Sequence, residues 1–139
     1  MGNRKIIGYM SGTFDLFHIG HLNILRRAKA NCDYLIVGVH SSGAKKGKKT
    51  YIPFEERKQI ISELRCVDKV IDAPVEDIDC WDELKYDRLF VGSDYIGTPR
   101  FARYERELKG KAEIIYFPYT QGTSSTQLRE ALDVIRNIY

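Results

Sequence analysis

Apolar and polar positions follow two different periods along this chain. Short runs rich in isoleucine, valine and tyrosine are separated by longer segments in which apolar residues recur every three or four positions. Short apolar runs indicate buried strands and a 3.6-residue period indicates amphipathic helices, so the order predicts a parallel sheet with crossover helices. Five strands are predicted, at residues 5–10, 34–39, 69–72, 88–91 and 112–117.

Five helices are predicted between and after these strands. Residues 53–64 open with a proline followed by two glutamates, which is typical of a helix N-terminus. The fold class is therefore α/β, a single domain over residues 1–139 with a doubly wound (Rossmann-like) five-stranded parallel sheet and helices on both faces. The predicted helices are residues 19–30, 53–64, 77–85, 99–108 and 125–138.

The composition is that of one ordinary globular domain. The chain has 139 residues, of which 43% are hydrophobic and 29% are charged, and these fractions exclude an intrinsically disordered class. The longest apolar run, residues 34–39, is far shorter than the roughly 18 to 20 residues of a membrane helix, and residues 1–10 lack the apolar core of a signal peptide. We expect a cytoplasmic protein with no membrane partner.

Charge and cysteine content narrow the function classes further. The net charge of +3 is too small to predict nucleic-acid binding. Cys32, Cys66 and Cys80 form no C-x-x-C spacing and are odd in number. We therefore expect reduced thiols and no disulfide framework or structural metal site.

The unusual polar segments all follow predicted strands. They are residues 11–21, 40–49, 92–95 and 119–126. Open parallel sheets bind ligands beyond the carboxyl ends of their strands, where the strand order reverses. The sequence therefore predicts one ligand site built from four loops.

The first of these segments reads GTFDLFHIGH from Gly12 to His21. His18 and His21 are three residues apart at a predicted helix start, which places both imidazoles on one helix face. Unpaired N–H groups and a partial positive charge already favour phosphate there, and Gly20 leaves room for its close approach. The alternative is a capping or surface pair of histidines. A metal pair is disfavoured because no third ligand lies at a suitable spacing.

The second segment concentrates positive charge. Residues 43–49 hold four lysines and two glycines. Such a run is commonly a solvated loop, but beside the histidines it predicts a flexible cationic lid for a triphosphate or a phosphorylated acceptor. Arg57 and Arg65, at the start and just past the end of the next helix, either add bidentate phosphate contacts or lie on the helix surface.

The remaining two segments offer hydrogen-bonding groups. Residues 120–126 are dense in hydroxyls, and Ser124 with Gln127 fits a capping box, a geometry that also forms an anion site. Asp94, after the fourth strand, either binds ribose hydroxyls or an exocyclic amine or serves as a turn residue.

Together these residues resemble the small nucleotidyltransferases of the HxGH superfamily, and most closely the glycerol-3-phosphate cytidylyltransferase family. Residues 12–21 match the family's GTFDLxHxGH opening, and residues 122–126 match the core of its RTEGISTT ending. Residues 56–58 match its middle helix signature and residues 65–68 the segment that follows. The resemblance spans nearly the whole chain.

The resemblance implies transfer of CMP from CTP to a small alcohol phosphate, with glycerol phosphate favoured, giving a CDP-alcohol and pyrophosphate. It implies that His18 and His21 stabilise the α- and β-phosphates and that Lys46 and Lys48 meet the phosphorylated acceptor, with His18, His21 and Lys46 catalytic. Arg57 is assigned to the acceptor on its charge. Nucleotide contacts are expected from Gly12, Thr13, Phe14, Asp15, His18, His21, Arg65, Asp94, Tyr119, Thr120, Ser124 and Thr126.

The same resemblance implies a homodimer. Mg²⁺ would arrive with the triphosphate, since it prefers phosphate oxygens plus one or two carboxylates, and Asp15 and Asp94 are the candidates. The chain departs from the family where GDDW is replaced by residues 92–95, where Tyr119 replaces an arginine, and where Trp81 lies several residues beyond a family tryptophan.

Alternative functions stay open at this point. They are transfer of CMP to ribitol phosphate, phosphocholine or phosphoethanolamine, adenylyl transfer of the FMN-adenylating kind, and CTP sensing without turnover.

Overall fold

The five predicted strands form one parallel sheet in the computed structural model, which describes residues 4–41, 49–118 and 125–138, with the side chains of the last helix described from 127 to 135. The strand order is β3-β2-β1-β4-β5, and every neighbouring pair is parallel. The doubly wound fold class is therefore confirmed. The strands are β1 Ile7–Gly12, β2 Tyr34–Val39, β3 Lys69–Asp72, β4 Arg88–Gly92 and β5 Glu113–Phe117.

The helices lie close to their predicted positions, with one difference in kind. Residues 77–85 form a 3₁₀ turn, Asp77–Cys80, followed by the single turn of α3, and Lys85 ends that turn in the left-handed region with φ of 52°. A second short 3₁₀ turn, Ser93–Tyr95, follows β4. The helices are α1 Ile19–Ala30, α2 Phe54–Ser62, α3 Trp81–Leu84, α4 Pro99–Glu107 and α5 Ser125–Ile138.

Two apolar cores lie on opposite faces of the sheet. Leu25 and Ala28 of α1 and Ile61 of α2 pack in one cluster, against strand residues such as Leu35 and Val37. Tyr9, Tyr86, Leu89, Phe101, Tyr104 and Leu108 pack in the other. Because the chain winds from β1 out to β3 and then returns to place β4 beside β1, the strand order reverses between β1 and β4. A crevice is expected at the carboxyl ends of these two strands.

The state of the cysteines and the character of the helices can be described directly. All three cysteines are free thiols. Within the described parts of the chain, none of the helices has the length and apolar character that crossing a bilayer would require.

Candidate active site

The two histidines of the first loop together form the cap of α1. His18 is the N-cap residue, and its Nδ1 accepts a hydrogen bond from the Gly20 N–H at 3.0 Å. His21 Nδ1 in turn accepts from the His18 N–H at 3.2 Å. The two imidazole rings stack with their centroids 3.9 Å apart. The capping and the phosphate-binding interpretations are therefore compatible, because capping uses only one nitrogen of each ring.

These hydrogen bonds determine which ring nitrogen carries the proton. A nitrogen that accepts a hydrogen bond holds no proton, so in each neutral ring the proton lies on Nε2. Burial lowers the pKa of His21 to about 4, helped by the nearby charges of His18 and Arg129, and burial also lowers the pKa of His18. At neutral pH the pair therefore offers two uncharged Nε2–H donors at the positive end of α1.

The lowered histidine pKa predicts a pH dependence of stability. Between about pH 6.5, where an unfolded histidine titrates, and about pH 4, where native His21 does, the unfolded chain binds the extra proton. The free energy of unfolding should therefore decrease as the pH is lowered through this window. His21 should account for a loss of about 1 to 2 kcal/mol by pH 5. Urea unfolding at pH 7.5 and pH 5 measures it.

The matched variant for this measurement is His21→Gln, because glutamine at this position can accept the same backbone hydrogen bond. We expect its unfolding free energy to change less than that of the wild type between the two pH values. Burial raises the pKa of Asp77, which acts in the opposite direction, but that contribution is present in both proteins. Equal slopes for wild type and variant would contradict the assignment.

Asp15 is the structural anchor of the loop. It is 1% exposed, and its carboxylate accepts hydrogen bonds from the N–H groups of Tyr51 and Ile52, both at 2.9 Å, and from Arg129 Nη2 at 3.0 Å. Burial would raise the pKa of Asp15, but these hydrogen bonds and the guanidinium charge outweigh it and hold the pKa below its usual range. The carboxylate joins the first loop to the start of α2 and to α5.

Arg57 differs from the expectation of an acceptor contact. It is 1% exposed, and its guanidinium donates to four carbonyl oxygens at 2.6 to 3.0 Å. A guanidinium with four of its five N–H groups given to backbone oxygens is a structural tie, so we correct its role to holding the loops together. The carbonyl groups belong to Thr13, His40, Ser41 and Ile52.

Arg65 is not brought to this edge of the sheet. It lies between the end of α2 and the start of β3, and it is exposed. Because all five strands run the same way, a residue that precedes β3 lies at the amino ends of the strands, opposite the histidines. One copy of the chain therefore does not bring Arg65 to the histidines, and its nucleotide contact stays a prediction.

Phe14 shapes the loop from inside the core. It is 4% exposed and adopts a left-handed backbone with φ of 54°. Its ring lies where a side chain at Gly12 would be, since a Cβ there would approach the ring to 2.8 Å. The same ring meets the edge of the His21 ring at 5.5 Å. Phe14 therefore orients His21, and Gly12 is required so that the aromatic ring can lie against the strand end.

Asp94 lies at the predicted edge of the sheet. It follows β4 within the turn Ser93–Tyr95 and is exposed. Within residues 4–41, 49–118 and 125–138, no group of three or more histidine, cysteine or acidic residues is arranged to hold a metal ion. The oxygens of Asp15 already accept backbone and Arg129 hydrogen bonds, so Asp94 is the carboxylate at this edge that would fit a metal ion, and the metal assignment stays a prediction.

Several predicted site residues lie outside the described residues. Lys46, Lys48, Tyr119, Thr120 and Ser124 are among them, and Thr126 is described only as part of the backbone of α5. The assignments of these six residues stay predictions.

The structure also brings forward residues that sequence reasoning missed. Arg129 of α5 places its guanidinium on Asp15, beside the histidines. His40, Asp77 and Arg100 line a pocket of about 430 Å³ that also includes Gly12. In the sequence, a lone arginine within a predicted helix indicates a solvated surface position. Only His40 carried a signal for a functional site, because it directly follows a predicted strand.

Comparison with known proteins agrees with this geometry. A model of the cytidylyltransferase-like family matches residues 9–131. The chain belongs to the cytidylyltransferase-like family. It is 36% identical over 138 residues to the glycerol-3-phosphate cytidylyltransferase of Bacillus subtilis, covering 93% of this chain and 97% of that protein.

Other proteins that are similar to this chain differ in what their names describe. The FAD synthase of Pyrococcus abyssi is 32% identical to this chain over 144 residues. The match covers 99% of this chain and 97% of the FAD synthase. A crystal structure of a lipopolysaccharide core biosynthesis protein from Thermoplasma volcanium superposes with a TM-score of 0.71 at 25% identity, covering 86% of this chain and all of that one. This chain is thus similar to proteins whose names describe different activities.

Proposed function

We propose that this protein transfers CMP from CTP to glycerol phosphate, forming CDP-glycerol and releasing pyrophosphate. The observation that carries the proposal is the histidine pair at the N-terminus of α1, with both Nε2–H donors at the sheet edge where strand order reverses. The membership in the cytidylyltransferase-like family and the similarity to the Bacillus subtilis glycerol-3-phosphate cytidylyltransferase support the choice of nucleotide and acceptor.

The reaction is a direct displacement at the α-phosphorus. A phosphate oxygen of the acceptor attacks, and the bond to the β-phosphate breaks, so pyrophosphate leaves with the electron pair. The protein contributes alignment and positive potential and forms no covalent intermediate. The Nε2–H groups of His18 and His21 donate to the phosphates as negative charge shifts toward the leaving group. Arg129 adds a fixed positive charge close to His21.

Four further points belong to the same proposal. Asp94 would hold a Mg²⁺ ion carried in by the triphosphate, and the metal would neutralise part of the phosphate charge. Lys46 and Lys48 bind the acceptor phosphate, while Tyr119 replaces the arginine contact of the family with an aromatic face and a hydroxyl. The protein is expected to act as a homodimer in the cytoplasm. Gel filtration with light scattering measures the oligomeric state.

Nucleotide selection provides the direct test. The purified protein is mixed with each of the four NTPs and glycerol 3-phosphate, and pyrophosphate release is followed. We expect kcat/KM for CTP to exceed that for ATP by at least about 100-fold, because a pocket that pairs polar groups with cytosine rejects a purine by size and by leaving those groups unsatisfied. The variant His18→Asn serves as the control for contaminating activity.

The similarity to an FAD synthase over nearly the whole chain favours one second candidate, adenylyl transfer to FMN. Its test is the same assay with ATP and FMN, read by the formation of FAD. Turnover of this pair that equals or exceeds turnover of CTP with glycerol 3-phosphate would replace the proposed function.

A further inference from the structure

A polar pocket lies beside the histidine loop, at the point where β1 and β4 meet. Its volume is about 430 Å³, which falls in the range of roughly 300 to 1,000 Å³ that is usual for small-molecule sites. Ser11, Gly12 and Thr13 form one wall, so the pocket shares that wall with the loop that carries the histidines. A molecule inside it is therefore adjacent to the loop at which the α-phosphate is proposed to bind.

Asp77 gives the pocket a fixed hydrogen-bond acceptor. One carboxylate oxygen accepts from the Ser11 hydroxyl at 2.5 Å, and the backbone of Asp77 is held by Tyr86 and Tyr104 through hydrogen bonds of 3.0 and 3.3 Å. Its second carboxylate oxygen accepts no hydrogen bond from any residue in the described parts of the chain. A carboxylate held in this way can receive hydroxyl hydrogen bonds from a ligand at little cost in side-chain entropy.

Arg100 gives the same pocket a cation. It lies in the first turn of α4 and makes no salt bridge with another residue among 4–41, 49–118 and 125–138. The neighbouring acid Glu76 is already bound by Arg103 and by the Tyr104 hydroxyl. The guanidinium of Arg100 is therefore left for an anion.

His40 completes the polar lining. It follows β2 and lies next to the first loop, since its N–H donates to the Gly12 carbonyl at 2.9 Å. Burial lowers the pKa of its imidazole, and the charge of Arg100 lowers it further. A neutral imidazole can donate one hydrogen bond to a phosphate oxygen, or donate to or accept from a hydroxyl.

We infer that this pocket is the acceptor subsite and that Arg100 and Asp77 select a polyol phosphate over a phosphate ester of a cationic amino alcohol. This inference rests on the proposed function. Arg100 attracts the acceptor phosphate, while Asp77 and His40 bind the hydroxyl groups. A quaternary ammonium carries no N–H or O–H group, so it would leave these half-buried polar groups without hydrogen bonds from the ligand. None of these residues belongs to the motifs that indicated nucleotidyl transfer.

The first test compares Arg100→Ala with Arg106→Ala, a change at an exposed arginine of the same helix. KM for glycerol 3-phosphate should rise about ten-fold or more in Arg100→Ala, because a charge-assisted contact is lost, while KM for CTP stays within about two-fold. Arg106→Ala should match the wild type. An unchanged acceptor KM in Arg100→Ala, or a rise in KM for CTP alone, would overturn the inference.

The second test uses Asp77→Asn, with Asp82→Asn on the neighbouring α3 as its control. The amide keeps the shape and one oxygen, so we expect circular dichroism to show a folded protein and the acceptor KM to rise several-fold.

Wild-type enzyme should use phosphocholine at least ten-fold less well than glycerol 3-phosphate, and Arg100→Ala should narrow this gap. Equal preference in the wild type would contradict the inference.

Calorimetry separates this inference from the proposed function. Glycerol 3-phosphate is titrated into wild type, Arg100→Ala and Arg106→Ala without nucleotide. Weaker binding only in Arg100→Ala supports the subsite even if CTP is not turned over, and such a lack of turnover would count against the proposed function alone. Equal binding by all three proteins would reject the subsite, whatever the activity.

Discussion

His18→Ala and His21→Ala should each lower kcat by about 100-fold or more, with KM for CTP changed only a few-fold. Each substitution removes an Nε2–H donor held at the N-terminus of α1, and the loss of one preorganised donor to a developing negative charge costs about that much. The interaction strengthens as charge moves onto the leaving phosphate, so the loss falls on the chemical step. Steady-state kinetics with saturating CTP measure it.

The capping role of these histidines requires variants that keep the cap. Asparagine is a strong N-cap residue, and glutamine at the third helical position accepts the same backbone hydrogen bond, so His18→Asn and His21→Gln should retain most of the stability and still lose kcat. If these two variants kept near-normal turnover, the histidines would be caps only. If only the alanine variants lost activity, the loss would reflect the helix start.

Arg57→Ala should lower the free energy of unfolding by about 3 to 5 kcal/mol. The substitution leaves a cavity and four backbone carbonyl groups without their donor, and a buried acceptor left unsatisfied costs about 1 to 3 kcal/mol before the structure relaxes. Urea unfolding followed by circular dichroism gives the value. Because the guanidinium joins the loops after β1 and β2, kcat should also fall.

Arg65→Ala is the matched control, since this arginine is exposed and lies at the far edge of the sheet. Its unfolding free energy should stay within about 0.5 kcal/mol of the wild type. Arg57→Lys should recover part of the stability, because one ammonium reaches fewer of the four carbonyl groups than a planar fork. A destabilisation of Arg57→Ala below about 1 kcal/mol would show that the carbonyl groups find other donors.

The strands show how far the apolar pattern reaches. β2 is predicted to the residue because it is buried by helices on both sides and therefore reads as a continuous apolar run, Tyr34–Val39. β1 is predicted two residues too early at both ends. Its last residues, Ser11 and Gly12, are small and polar, yet they pair with Gly38 and Val39 of β2. That pairing depends on the neighbouring strand and leaves no apolar signal.

Between β3 and β4, the local sequence pattern predicted where a helical segment lies but not which conformation it adopts. The spacing predicted one helix over residues 77–85, but the segment forms a 3₁₀ turn and then a single α-helical turn. The Asp77 backbone is held by the hydroxyl of Tyr86, which directly follows the segment, and by that of Tyr104 in α4. Contacts of this kind override intrinsic helix preference.

The sequence alone determined the α/β order, the parallel sheet, the sheet edge that carries the polar loops and the histidine pair, because each depends on local periodicity or on residues close together in the chain. Only the tertiary structure distinguished the roles of the two arginines. Arg57 and Arg65 look alike in sequence, but one is buried on four carbonyl groups and the other is exposed at the opposite edge. It also brought Asp77 and Arg100 to one pocket. Burial and the meeting of distant loops arise from packing of the whole sheet, and no short segment carries that information.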